Sequence, residues 1–120
     1  MKKILIADDH PQAVELVRVT LEGRNYEIVD ASNGKETLKK VRLEKPDLVL
    51  LDVVMPKMDG FEVCRKLKKD PQTKEIPIIM LTAKGQAVDK KKGRQIGARD
   101  YITKPFSPSA LLVKIEEILT

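Results

Sequence analysis

Three short runs of uninterrupted apolar residues, 4–7 (Ile-Leu-Ile-Ala), 48–51 (Leu-Val-Leu-Leu) and 78–81 (Ile-Ile-Met-Leu), stand out from a charged background. Runs of this length, bounded by Asp, Lys and Pro, read as strands buried on both faces, and such strands belong to parallel sheets. Residues 26–31 and 98–103 supply two further strands. Between the strands the apolar period lengthens to that of a helix. Ala13, Val14, Leu16, Val17 and Leu21 recur at helical spacing behind Pro11, and Gly23 supplies a stop. Asn33 followed by Glu36 has the form of a capping box for a second helix, with Leu38 and Val41 inward. Asp59 and Glu62 do the same for a third helix, which turns Phe61, Val63, Cys64 and Leu67 inward and keeps Arg65, Lys66, Lys68 and Lys69 as a wet face. The fourth helix, between residues 86 and 96, is weakly written. It has few large apolar residues, a Lys90-Lys91-Lys92 run and an interior Gly93, which costs about 1 kcal/mol against alanine, so it is expected to be the most mobile element. Ser107 and Pro108 begin the last helix, whose apolar face is Leu111, Leu112, Ile115, Ile118 and Leu119.

Strands alternating with helices predict an α/β fold: a doubly wound, five-stranded parallel sheet with right-handed crossovers and helices on both faces. The flavodoxin-like strand order 2-1-3-4-5 suits five such units. The 120 residues make one domain, 1–120, without repeat or linker, and 42% hydrophobic with 34% charged residues is the balance of a globular protein. The run at 4–7 is too short for a signal peptide or a membrane span, which places the chain in the cytoplasm with no membrane partner. The lone cysteine, Cys64, falls among inward positions and is assigned no role. Lys and Arg outnumber Asp and Glu by 23 to 18, and the pI near 9.3 brings a basic nucleic-acid-binding module into consideration.

Chemistry concentrates where strands end. In the order 2-1-3-4-5, strands one and three are neighbours at the point where the winding reverses, so Asp8, Asp9 and Asp52 meet in the crevice outside their carboxyl ends. Three carboxylates there need a counter-charge, and a hard divalent cation such as Mg²⁺ supplies one. Asp8 and Asp9 also suit the plainer task of capping the first helix. Thr82 and Lys104 end strands four and five on the same rim, and an ammonium, a hydroxyl and a metal around one Asp are what a transferring phosphoryl group requires. The carboxylate of Asp52 can itself be the nucleophile, forming an aspartyl-phosphate.

With Asp8-Asp9, Asp52, Met55-Pro56, Asp59-Gly60, Thr82-Ala83 and Lys104-Pro105-Phe106 in these places, the chain resembles a receiver domain of two-component response regulators over essentially its whole length. Receivers are themselves a standard example of the 2-1-3-4-5 order, so the resemblance carries that topology. It implies that Asp52 is the phosphoacceptor and that Asp9, Asp52 and the Val54 carbonyl are direct Mg²⁺ ligands, with Asp8 acting through water. It implies that Thr82 and Lys104 bind the phosphoryl group, that Tyr101 is the aromatic partner of the Thr82 switch, and that Lys104-Pro105 is cis. The donor would be a sensor histidine kinase or a phosphotransfer protein. Phosphorylation would change the surface formed by the fourth helix, fifth strand and fifth helix and so control binding of a downstream protein, as a monomer or as a phosphorylation-dependent dimer. The resemblance is to the stand-alone, chemotaxis- and sporulation-regulator type. Such a protein phosphorylates itself from a small donor and slowly dephosphorylates, without being a dedicated enzyme.

His10, the single histidine, follows the acid pair and reads as an exposed loop residue able to touch a phosphodonor. A flavin-binding relative would need a Ser, Thr or Gly-rich loop where this chain has Asp8-Asp9-His10-Pro11, and a haloacid-dehalogenase-type phosphatase would need Asp-x-Asp after its first strand. Against nucleic-acid binding stand the scarcity of aromatics, Tyr26, Phe61, Tyr101 and Phe106, and the lack of a groove-reading motif.

Overall fold

The structure, a computed structural model, describes residues 1–83 and 97–120. The predicted fourth helix, residues 86–96, lies outside the described residues. Five strands, β1 (Lys2–Ala7), β2 (Tyr26–Ala31), β3 (Leu48–Asp52), β4 (Ile78–Ala83) and β5 (Asp100–Lys104), form one sheet in the order β2-β1-β3-β4-β5. Every pairing is parallel. The described helices are α1 (Pro11–Leu21), α2 (Gly34–Glu44), α3 (Gly60–Lys69) and α4 (Pro108–Leu119).

The alternation of side chains along each strand sorts the core into two layers. Leu5, Val49, Leu51 and Met80 face α2 and α3, where Val41, Phe61 and Leu67 meet them. Ile4, Ile6, Leu48 and Leu50 face α1 and α4, against Val17, Leu111 and Ile115. All five residues of β3 are buried, as expected of the central strand with both faces covered.

Local signals were obeyed with instructive shifts. Asn33 accepts from the Glu36 N–H at 2.9 Å, but the Glu36 carboxylate takes the Ser32 N–H at 2.6 Å, one residue before the cap, so the box is offset. Asp59 accepts from the Glu62 N–H at 2.9 Å and starts α3 as expected. Gly23 adopts φ 77°, just past α1. Strand β1 begins at Lys2 rather than Ile4, because Lys2 and Lys3 pair with Tyr26 and Glu27. Strand β5 begins at Asp100, not Ala98, and continues through Lys104.

Lys68 departs from the predicted wet face of α3. Its ammonium donates to the carbonyls of Lys74 (3.1 Å) and Ile76 (2.7 Å), tying the segment after α3 to the helix, and burial pulls its pKa down. Thr73 secures the same segment: its buried hydroxyl donates to the Leu67 carbonyl at 2.7 Å. At the rim where strands begin, Met1 and Thr120 line one cleft with Arg24, Tyr26 and Asp47.

Candidate functional site

At the opposite rim, strand alternation decides which side chains meet. Asp8, Asp52 and Lys104 have the parity of Ile6, Leu50 and Ile102 and therefore emerge on the α1/α4 face. Thr82 and Tyr101 have the parity of Met80 and lie on the α2/α3 side, one pleat apart, in a register where Met80 pairs with Tyr101 and Thr82 with Thr103. The site thus straddles the edge of the sheet.

Asp8, Asp9, His10 and Asp52 each offer an atom within 4.8 Å of the others. Asp8 is buried. Its Oδ1 accepts from the His10 backbone N–H at 2.9 Å and lies 2.9 Å from the His10 ring Nδ1, while its Oδ2 accepts from the Lys104 ammonium. Asp8 therefore holds the turn and the lysine, and neither it nor Asp9 caps α1, whose N-cap is His10 without a side-chain cap bond. Lys104 Nζ also lies 3.5 Å from Asp52 Oδ2, and the Lys104-Pro105 peptide is cis, as the resemblance implied.

Asp52 is only 5% exposed. Its Oδ1 accepts from the Val54 N–H at 3.3 Å, but among the described residues Oδ2 has no hydrogen-bond partner, and neither has the buried Thr82 hydroxyl. Burial, reinforced by the Asp8 charge, raises the Asp52 pKa from its ordinary 3.8 to about 6, against the pull of Lys104 and the Val54 N–H. For Asp8 burial also acts upward, yet the bonds from Lys104 and His10 prevail and hold it below the usual carboxylate range. Two buried, unpartnered oxygen atoms on one rim are costly in a finished structure and sensible where a ligand completes them.

The loop after β3 fixes Asp52 from behind. The Val53 N–H donates to the Leu81 carbonyl at 3.0 Å, and the Gly60 N–H donates to the Val53 carbonyl at 2.8 Å. A Cβ on Gly60 would stand 2.1 Å from the Asp52 carbonyl oxygen and 2.9 Å from the Val53 Cα. Only glycine fits. Gly60→Ala must push the backbone of the reacting residue aside, and a loss of about 3 kcal/mol or more is expected in urea unfolding; a loss below about 1 kcal/mol would show that the loop yields freely.

The geometry thus brings together Asp8, Asp9, Asp52, Lys104 and the Val54 amide at one rim, with Thr82 at the end of the neighbouring strand. Tyr101 is half-buried and packs against the α2/α3 core. Sequence reasoning missed how closely His10 joins the acids; only its place directly after Asp8-Asp9 hinted at it.

The family model for the response regulator receiver domain matches residues 4–116. The chain belongs to the receiver-domain family of response regulators. Among curated relatives, the receiver is 48% identical over 118 residues to the alkaline phosphatase synthesis transcriptional regulatory protein PhoP of Bacillus subtilis, covering 98% of this chain and 48% of that protein. It is 43% identical over 119 residues to protein PilH of Pseudomonas aeruginosa, covering 99% of this chain and 98% of PilH. The receiver spans about half the length of most of the curated relatives it matches. Among solved structures, a response regulator of Chloroflexus aurantiacus superposes with a TM-score of 0.94 at 37% identity, covering 98% of this chain and 97% of that one. Chemotaxis protein CheY4 of Vibrio cholerae superposes with a TM-score of 0.91 at 35% identity, covering 99% of both. The basic charge that raised a nucleic-acid-binding module therefore sits on a receiver fold. A receiver implies a histidine kinase or phosphotransfer protein as phosphodonor. None of the described helices is long and apolar enough to cross a membrane.

Proposed function

We propose that residues 1–120 form one receiver unit in which Asp52 accepts a phosphoryl group, with Mg²⁺ as cofactor, and that Thr82 and Tyr101 pass the event to the output surface. The observation that carries this reading is the buried Asp52 Oδ2, unpartnered by hydrogen bonds yet 3.5 Å from Lys104 Nζ, on a rim that also holds the orphan Thr82 hydroxyl. Asp52 attacks phosphorus through a carboxylate oxygen. The bond from phosphorus to the donor nitrogen or oxygen breaks, and the leaving group carries its electron pair away with the donor. Lys104 neutralises charge on the phosphoryl oxygens, and the Thr82 hydroxyl donates to one of them.

The donor set suits a hard dication: Asp8, Asp9 and Asp52 supply carboxylates within 4.8 Å of one another, with the Val54 carbonyl proposed as a further ligand. Bound there, Mg²⁺ would offset the charge of the acids and of the transferring group. A cytoplasmic setting accords with this chemistry.

Signalling requires a contact available in only one of two states. The Thr82 hydroxyl has no hydrogen-bond partner among the described residues and would acquire one when Asp52 is phosphorylated, vacating the space beside Tyr101. The surface expected to respond includes β5 and α4, together with residues 84–96, which lie outside the described residues. The test is amide hydrogen exchange with and without beryllofluoride and Mg²⁺. Slowed exchange around Thr82, Tyr101 and α4 is expected in the parent. Thr82→Ala should still take label on Asp52 but lose most of that protection, and equal protection in the two proteins would remove Thr82 from the signal path.

A further inference from the structure

His10 Nδ1 lies 2.9 Å from Asp8 Oδ1, 3.3 Å from Asp9 Oδ1 and 3.8 Å from Asp52 Oδ2. In an octahedral site with bonds near 2.1 Å, adjacent donors are about 3 Å apart, so the imidazole nitrogen already stands at the spacing of a ligand beside the acids. The buried Asp52 Oδ2, without a hydrogen bond, is aimed into the same cluster. We propose that His10 is a nitrogen ligand of this metal site and biases it toward transition-metal dications of the cobalt, nickel and zinc type. The proposal rests on the reading that these acids bind a metal, and adds which metals the site prefers.

Carboxylates and water suit Mg²⁺, whereas imidazole suits Ni²⁺, Zn²⁺ and their neighbours, so one nitrogen among oxygens changes the order of affinities. In the metal-free protein Nδ1 faces the Asp8 carboxylate as a donor, and an entering ion displaces that proton to solvent; with its remaining proton on Nε2, the ring then presents the Nδ1 lone pair to the ion. The His10 side chain is 60% exposed, so it can turn to meet an ion, and its removal leaves no hole in the core. His10 is the only histidine of the chain, and its single cysteine is buried on the core face of α3.

The test titrates Mg²⁺ and Co²⁺ separately into untagged parent, His10→Ala and Asp52→Asn proteins, read by calorimetry and, for Co²⁺, by its visible absorption. The parent should favour Co²⁺ over Mg²⁺ by a ratio that falls about tenfold or more in His10→Ala, with a changed Co²⁺ spectrum, while Asp52→Asn weakens both ions. An unchanged ratio and spectrum would overturn the proposal and leave the Mg²⁺ reading standing. So would an equal gain of affinity for both ions, because His10 would then be a counter-charge that any cation displaces. Affinities for both ions that are unaffected by Asp52→Asn would overturn the metal site itself.

Discussion

Asp52→Asn is expected to take up no phosphoryl label from acetyl phosphate and Mg²⁺, where the parent takes one per chain. Among the described residues, Asp52 alone combines a buried carboxylate, an oxygen atom without a hydrogen bond and a neighbouring ammonium. Asp8 has both oxygens engaged by His10 and Lys104, and Asp9 is exposed. A nucleophile needs a lone pair not already committed, and the amide of asparagine is a far weaker one. The label should resist acid and yield to base, as an acyl phosphate does. Mass spectrometry showing undiminished labelling in Asp52→Asn would move the acceptor elsewhere.

The same substitution should stabilise the metal-free protein. The folded pKa of Asp52 is raised from 3.8 to about 6, chiefly by burial and then by the Asp8 charge. Between those values the folded state holds a proton that the unfolded state has lost, so the contribution of Asp52 is fully present below about pH 4 and disappears as pH rises through 6. Above pH 6 the ionised, buried carboxylate costs about 3 kcal/mol relative to its neutral form. In chelator at pH 7.5, Asp52→Asn should unfold at higher urea than the parent by an amount of this order, and the gap should close as pH falls toward 4. Added Mg²⁺ should narrow the gap by stabilising the parent more than the variant. A variant no more stable than the parent at pH 7.5, or a gap that widens in acid, would mean that Lys104 already compensates the charge.

How much of this was legible in the sequence depends on whether the controlling force was local. The buried strands were readable because β3, covered on both faces, has no polar alternative until Asp52. The expected strand order then brought Asp8, Asp9 and Asp52 to one crevice, with Thr82 and Lys104 on the same rim. The Asn33 and Asp59 caps were legible because a cap is a contact across three residues. What stayed hidden was set by partners distant in the chain or by geometry. Lys68 looked like one more surface lysine until the segment after α3 presented two carbonyls to it. Lys2 and Lys3 lie outside the apolar run 4–7 that marked the first strand, yet pairing with β2 drew them into the sheet. The necessity of Gly60 lies in an approach to the Asp52 backbone, which no composition rule foretells. His10 was legible as a neighbour of the acids in sequence, while the distances that make its ring one of their partners are a property of the turn.

Met1 and Thr120 share one cleft at the rim where the strands begin, and the reacting carboxylate sits where they end. Roughly a strand length, about 17 Å, separates the two rims. A fluorophore or surface tether placed on that cleft would therefore sit a strand length away from the chemistry at Asp52.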